Sequence, residues 1–267
     1  MYNEKPVYAQ LVNNKLQILK QAPWLGIQYS EVELIDTTGV KFLHPSEPTV
    51  IIGLSKSYKQ NWKDRSPFRN VRWFIKPVAS AADPGDEIPI PLSLTSLKVE
   101  VELVIVIGKE IKNADETTAQ NSIFGYTVGN DVVGTTDSYY KISGDDMTEN
   151  DPLLAPGLKI GDRFAPYGPF IYKNYQWKNK MRSLIIYDIN GNEKANYENS
   201  TNDLLYPPAK IVSDLSSVLT LHPGDVIFTG TSQSFVVRAG DRIVFGLEGM
   251  RSFENTIVKY NKPKNEK

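Results

Sequence analysis

The run Lys98-Val99-Glu100-Val101-Glu102-Leu103-Val104-Ile105-Val106-Ile107 has the spacing in this chain most suggestive of chemistry. Residues two apart on a strand share a face, so Glu100 and Glu102 present carboxylates about 7 Å apart along the backbone, free to converge on something between them. Val99, Val101, Leu103 and Ile105 form the opposite, apolar face, whereas Val104 and Val106 continue the glutamate face as apolar. Carboxylates at the edge of an apolar surface are costly unless paired, and a divalent cation pairs two anions at once. The other reading is an antiparallel strand with its glutamates in water, and these residues by themselves leave both open. Asn130-Asp131, ending the run FGYTVGND, adds a third carboxylate at a strand terminus with no evident turn role. Three carboxylates completed by water suit Mg²⁺ or Mn²⁺ and would accept Ca²⁺, with no histidine required.

Composition narrows the rest. A chain of 267 residues can bury a sizeable core. It has no cysteine, which excludes disulfides, thiolate zinc sites, iron–sulfur clusters and a cysteine nucleophile. Thirty basic residues against 31 acidic ones give no global field toward nucleic acid or an anionic membrane, so neither is expected as a partner. The first residues, MYNEKPVYAQ, lack the apolar core of a signal peptide, and no run of about 18 apolar residues occurs. A cytoplasmic protein is the expectation.

The elements that must position these carboxylates read as mainly β with a few helices, an α+β chain. Residues 1–48 suggest a small N-terminal β subdomain: VYAQLV and KLQIL flank the turn Asn13-Asn14, and VELID precedes Thr37-Thr38-Gly39. The catalytic domain is expected over 49–267, opening with the strand TVIIGL. The segment that follows, SKSYKQNWKDRSPFRNVRW, is basic and aperiodic, reading either as a solvated loop or as an anion-receiving lid. WFIKPVAS reads as a strand, AADPGDEIPIP as a turn, and LKVEVELVIVIG as one strand. PFIY, SLIIYDI before the Asn190-Gly191 turn, GDVIFTG and DRIVFGLEG also read as strands. Helices are expected in DETTAQNSIFG and in PPAKIVSDLSSVLTL, where leading prolines suit a helix start and Ile211, Leu215 and Val218 share a face. The acidic loop 145–151 lacks the spacing of a calcium loop, and Trp62, Trp73, Tyr139 and Tyr140 read as packing aromatics.

Over residues 49–258 the chain resembles the fumarylacetoacetate hydrolase family. The resemblance rests on FIKPVAS (74–80), Glu100-Val101-Glu102, GYTVGND (125–131), KIGDRFAPYGP (159–169), LTLHPGDVIFTGTS (219–232), AGDRI (239–243) and FENTIVK, in that order. It implies a mixed β-sandwich or roll core and a divalent metal, usually Mg²⁺, on Glu100, Glu102 and Asp131. It also implies a small anionic substrate, a 2-oxo acid or β-dicarbonyl compound, and a homodimer. A metal across an enolised dicarbonyl stabilises developing enolate charge, the shared demand of C–C hydrolysis, decarboxylation and tautomerisation. By the same resemblance Lys159 is the active-site lysine and Thr229-Gly230-Thr231 line the pocket. Lys76 matches the lysine of the family's F-x-K-P strand, as a substrate contact or as half of a structural ion pair.

The departures are as specific as the matches. Hydrolytic members carry a histidine as general base after the first core strand, but this chain reads Gly53-Leu54-Ser55-Lys56-Ser57-Tyr58-Lys59. Its two histidines, His44 and His222, fall before the core and in a turn. The arginine that commonly meets substrate is replaced by Thr135. Any base would have to come from the lid, from Lys56, Tyr58, Lys59 or Asp64, with a lysine needing a desolvated setting; Tyr58 is also a candidate substrate contact. Decarboxylation or tautomerisation thereby gains on water attack, while C–C hydrolysis remains the commoner reaction of the family the chain resembles. Two alternatives stay open: a catalytically weakened homologue that binds a small acid, and a specialised isomerase or cyclase.

Overall fold

The computed structural model describes residues 5–62, 66–92, 94–135 and 159–260. Lys63, Asp64, Arg65, Tyr139, Tyr140 and the acidic loop 145–151 therefore lie outside the described residues.

Strand Val101–Ile107 is buried along its whole length because both of its faces meet apolar surface. Val101, Leu103, Ile105 and Ile107 join the larger core, while Val104 and Val106 pack with Ile51, Ala165, Tyr167, Val226 and Phe228 in a second, smaller one. The strand lies inside a five-stranded sheet of order Ile123–Asn130, Val101–Ile107, Val226–Phe228, Ile51–Ser55, Arg72–Lys76. A second five-stranded sheet runs Glu193–Ser200, Met181–Tyr187, Arg242–Leu247, Phe253–Lys259, Glu87–Ile90. Each sheet has one parallel pairing among antiparallel ones, so the core is mixed, as expected. Residues 9–36 carry a three-stranded antiparallel sheet whose hairpin turns at Asn13 and Asn14, both at positive φ (49° and 62°).

The expected single strand over LKVEVELVIVIG is in fact two. Leu97–Val99 belongs to a three-stranded sheet with Val133–Gly134 and Phe235–Val237, and the chain changes sheets at Glu100. At that corner the Glu100 N–H is taken by the side-chain oxygen of Asn130 at 2.8 Å rather than by a ladder carbonyl. The partner strand bends in step, its Asp131 N–H reaching back to the Glu100 carbonyl at 2.9 Å. Two antiparallel strands thus turn one corner together, and the candidate carboxylates sit on it.

Other expectations need smaller corrections. Glu87–Ile90 is a strand, not part of a turn; Pro89 is admissible there because this strand is the sheet's edge, where a missing N–H breaks no inner ladder. PFIY forms no strand, contributing only the bridge between Tyr172 and Tyr126. Both expected helices form: α1, Glu116–Ser122, capped by the Asp115 carboxylate on the Thr118 N–H (2.7 Å), and α2, Pro208–Val218, with prolines at its start. The buried face of α2 is Pro208, Ile211, Val212, Leu215 and Ser216; Val218, the last residue, is 59% exposed.

Candidate metal centre

The corner brings Glu100, Glu102 and Asp131 together, with one carboxylate oxygen of each lying within 4.8 Å of the others. Glu102 projects from the Val104 face, opposite Gly129 in the ladder, and is almost fully buried. One of its oxygens accepts the Gly230 N–H at 2.7 Å; the other, Oε1, has no hydrogen-bond partner among the described residues. Gly230 has φ +84°, and a Cβ there would stand 2.1 Å from Ser57 Oγ, so only glycine fits the turn that aims this N–H. Neighbouring Thr229 is fixed by its N–H and hydroxyl, both donated to the Leu103 carbonyl, at 3.0 and 2.9 Å.

Two ammonium groups flank Asp131. Lys76 is wholly enclosed and donates to Asp131 Oδ1 (2.5 Å) and to the Val132 carbonyl (3.1 Å). Lys159 bridges Glu100 Oε2 (2.9 Å) and Asp131 Oδ2 (2.7 Å) from the solvent side, its side chain 18% exposed. Both nitrogens also face the Phe74 ring, Lys159 at 5.2 Å and Lys76 at 5.9 Å from its centroid. That ring lies over Gly53, where a Cβ would come within 2.3 Å of it.

The electrostatics divide these groups. Burial works against ionised Asp131, yet the charges of Lys159 and Lys76 outweigh it and hold its pKa below the usual value. Glu102 is pushed well above the ordinary range by burial and then by the anions Asp131 and Glu100. Burial likewise raises Glu100, despite the opposing pull of Lys159. Lys76 is lowered by burial, with Asp131 opposing. Burial also disfavours charged Lys159, but Asp131 and Glu100 prevail and raise it, so Lys159 stays cationic. An all-oxygen donor set with a buried carboxylate oxygen that lacks a partner among the described residues fits a hard divalent cation.

Among the described residues, the remaining candidates make no hydrogen bond to the three carboxylates. Tyr58 is fully enclosed, its hydroxyl without a hydrogen-bond partner among the described residues and its pKa raised by burial. Lys56 is exposed, and Lys59 is largely exposed and ion-paired with Asp203 at 3.5 Å, so neither has the desolvated setting that a lysine base needs. His44 is held by Asp83 through its ring (2.7 Å) and its N–H (2.8 Å), and the His222 N–H is bonded to Asp225. Thr135 is buried against Ser96. Thr231 has a buried hydroxyl with no partner among the described residues.

Sequence reasoning missed Arg182. It lies on strand Met181–Tyr187 with 0% exposure, and its guanidinium stacks 4.3 Å from the centroid of Tyr58. The signal was present: in MRSLIIY, position 182 shares the inward face with Leu184 and Ile186, where a charge is out of place.

Comparison with known proteins bears on the same segments. Residues 51–258 match the family model described as fumarylacetoacetate (FAA) hydrolase C-terminal. The chain is 31% identical over 236 residues to the fumarylacetoacetate hydrolase domain-containing protein 2 homolog of Dictyostelium discoideum, covering 81% of this chain and 74% of that protein. It is 31% identical over 196 residues to the homoprotocatechuate catabolism bifunctional isomerase/decarboxylase of Escherichia coli, covering 73% of this chain and 41% of that one. The crystal structure of 2-hydroxyhepta-2,4-diene-1,7-dioate isomerase from Mycobacterium marinum aligns with a TM-score of 0.76 at 25% identity, covering 96% of this chain and 93% of that one.

Proposed function

The chain belongs to the fumarylacetoacetate hydrolase family, and on that footing we propose that it is a divalent-metal enzyme, with Mg²⁺ as its ion, acting on a small 2-oxo acid or β-dicarbonyl compound. The observation that carries this reading is the convergence of Glu100, Glu102 and Asp131 on one corner, with the Lys159 ammonium beside them. The three carboxylates would hold the ion, while the Gly230 N–H orients Glu102 and Lys76 neutralises Asp131 from the interior side. When bound, the ion would supply Lewis-acid stabilisation of negative charge developing on the substrate. Lys159, the partly exposed cation of the group, offers its ammonium to the substrate's carboxylate or enolate oxygen.

Decarboxylation or tautomerisation is the form of the reaction these residues favour. Activating water needs a base poised near neutrality, and the described lid residues do not supply one, because Lys56 and Lys59 are solvated and the buried Tyr58 hydroxyl resists ionisation. The similarity to a bifunctional isomerase/decarboxylase accords with this.

The test is turnover by EDTA-treated protein, with and without Mg²⁺ or Mn²⁺, on oxaloacetate and a panel of acylpyruvates, with products followed by NMR. Metal-restored turnover that Glu102→Ala abolishes is the expected result. Turnover that survives metal removal, or that persists in Glu102→Ala, contradicts the reading.

A further inference from the structure

Arg182 is an expensive residue to place where it is. A guanidinium carries five N–H donors and a permanent charge, and burying such a group without full pairing costs stability. Here only Nη1 is engaged; Nε and Nη2 have no partner among the described residues, and the Tyr58 ring covers one side of the cation. What Nη1 engages explains the placement. It donates to the Val101 carbonyl at 3.2 Å and to the Gly230 carbonyl at 3.1 Å. Val101 is the residue between Glu100 and Glu102, and Gly230 is the residue whose N–H holds Glu102 Oε2 at 2.7 Å. One nitrogen therefore ties the backbone that spaces the two glutamates to the loop that aims one of them.

We propose that Arg182 is a positioning residue for the metal centre, clamping the Val101 and Gly230 peptides so that Glu102 is held in its coordinating orientation. This rests on the reading of Glu100, Glu102 and Asp131 as metal ligands. It assigns Arg182 no contact with substrate or ion.

A second role for the same charge predicts the opposite outcome, which makes the proposal decidable. With three carboxylates answered by Lys76, Lys159 and Arg182, Arg182 could serve only as a counter-charge. Removing a mere counter-charge makes the site more negative and tightens binding of a divalent cation. Removing a clamp on the ligand backbone weakens it, by about 10–100-fold if it acts as outer-shell partners of metal ligands commonly do.

The experiment is titration of EDTA-treated full-length protein with Mn²⁺ alone, read by the electron paramagnetic resonance signal of the free ion. Wild type is compared with Arg182→Gln and Arg182→Lys, and circular dichroism establishes that each is folded. Arg182→Gln is expected to bind Mn²⁺ about 10–100-fold more weakly, with Arg182→Lys recovering part of the loss because its ammonium still reaches one carbonyl. Unchanged or tighter binding by folded Arg182→Gln overturns the proposal. Should Arg182→Gln not fold, Arg182→Lys carries the test: several-fold weaker binding supports the clamp, and unchanged or tighter binding overturns it. If wild type itself takes up no Mn²⁺, the metal reading fails first and this inference falls with it, a result distinct from a variant that matches wild type.

Discussion

Alanine at position 230 should destabilise the protein by an amount that can be worked out from the turn. Gly230 has φ +84°, a left-handed conformation that costs a residue with a Cβ about 1–2 kcal/mol. The added carbon would lie 2.1 Å from Ser57 Oγ and 3.1 Å from the Leu54 carbonyl. The Ser57 hydroxyl donates to the Thr229 carbonyl at 2.5 Å, so it cannot swing aside without losing that bond, worth about 1 kcal/mol. Forced repacking adds about 1–3 kcal/mol. The sum is about 3–6 kcal/mol, a large share of the roughly 5–15 kcal/mol that holds a typical domain together. Urea unfolding followed by circular dichroism measures it. Ser57→Ala supplies the internal check, because with the hydroxyl gone the nearest Ser57 atom is Cβ at 3.4 Å, an ordinary contact. The double variant should therefore lose at least about 1 kcal/mol less than the sum of the two single losses. A Gly230→Ala cost below about 0.5 kcal/mol, or strict additivity with Ser57→Ala, refutes the reasoning.

Three further outcomes follow from the same geometry. Asp225→Ala should cost about 2–4 kcal/mol in the same unfolding assay, because this buried carboxylate accepts the N–H groups of Thr49, Val50 and His222 and the Thr49 hydroxyl; a loss under about 1 kcal/mol contradicts that. Asp83 gives a pH signature: burial opposes its charge, but the N–H and ring of His44 and the charge of Lys41 hold its pKa below the ordinary 3.8. A depressed folded pKa gives stability that is present above 3.8 and lost as pH falls through the folded value, so the gap between wild type and Asp83→Asn should shrink below about pH 4; a gap that stays the same from about pH 7 down to about pH 3 speaks against it. Lys159→Met should lower kcat/KM by about 10²–10³-fold, the usual cost of losing one transition-state donor. The same change should leave Mn²⁺ affinity equal or tighter, since it removes an ammonium from Glu100 and Asp131. Weakened Mn²⁺ binding would argue that Lys159 builds the metal centre.

How much of this is legible in the sequence follows from how local each signal is. The Asn13-Asn14 and Asn190-Gly191 turns carry their own φ preferences, and both appear as hairpins. α1 has its Asp115 cap, and α2 its leading prolines and apolar face, although Val218, apolar and in register with that face, is exposed because the helix ends there. The carboxylates are legible because strand parity puts Glu102 with Val104 and Val106, and the two cores keep that parity. Non-local pairing is not legible. That Glu100 is a corner depends on Asn130, thirty residues on, capturing its N–H. That Glu87–Ile90 is a strand depends on Phe253–Lys259 offering it an edge. Arg182 is easily passed over because the family pattern directs attention to the arginine missing at Thr135, while its own cue is one charge on an apolar stripe.

The central claim is that three carboxylates on one strand corner hold a divalent ion. Anomalous diffraction from crystals soaked in Mn²⁺ tests it most directly. The expected result is one strong peak within about 2.0–2.3 Å of oxygens from Glu100, Glu102 and Asp131, lost in Glu102→Ala. No peak at the corner at millimolar Mn²⁺, or one bound to other side chains, would contradict it.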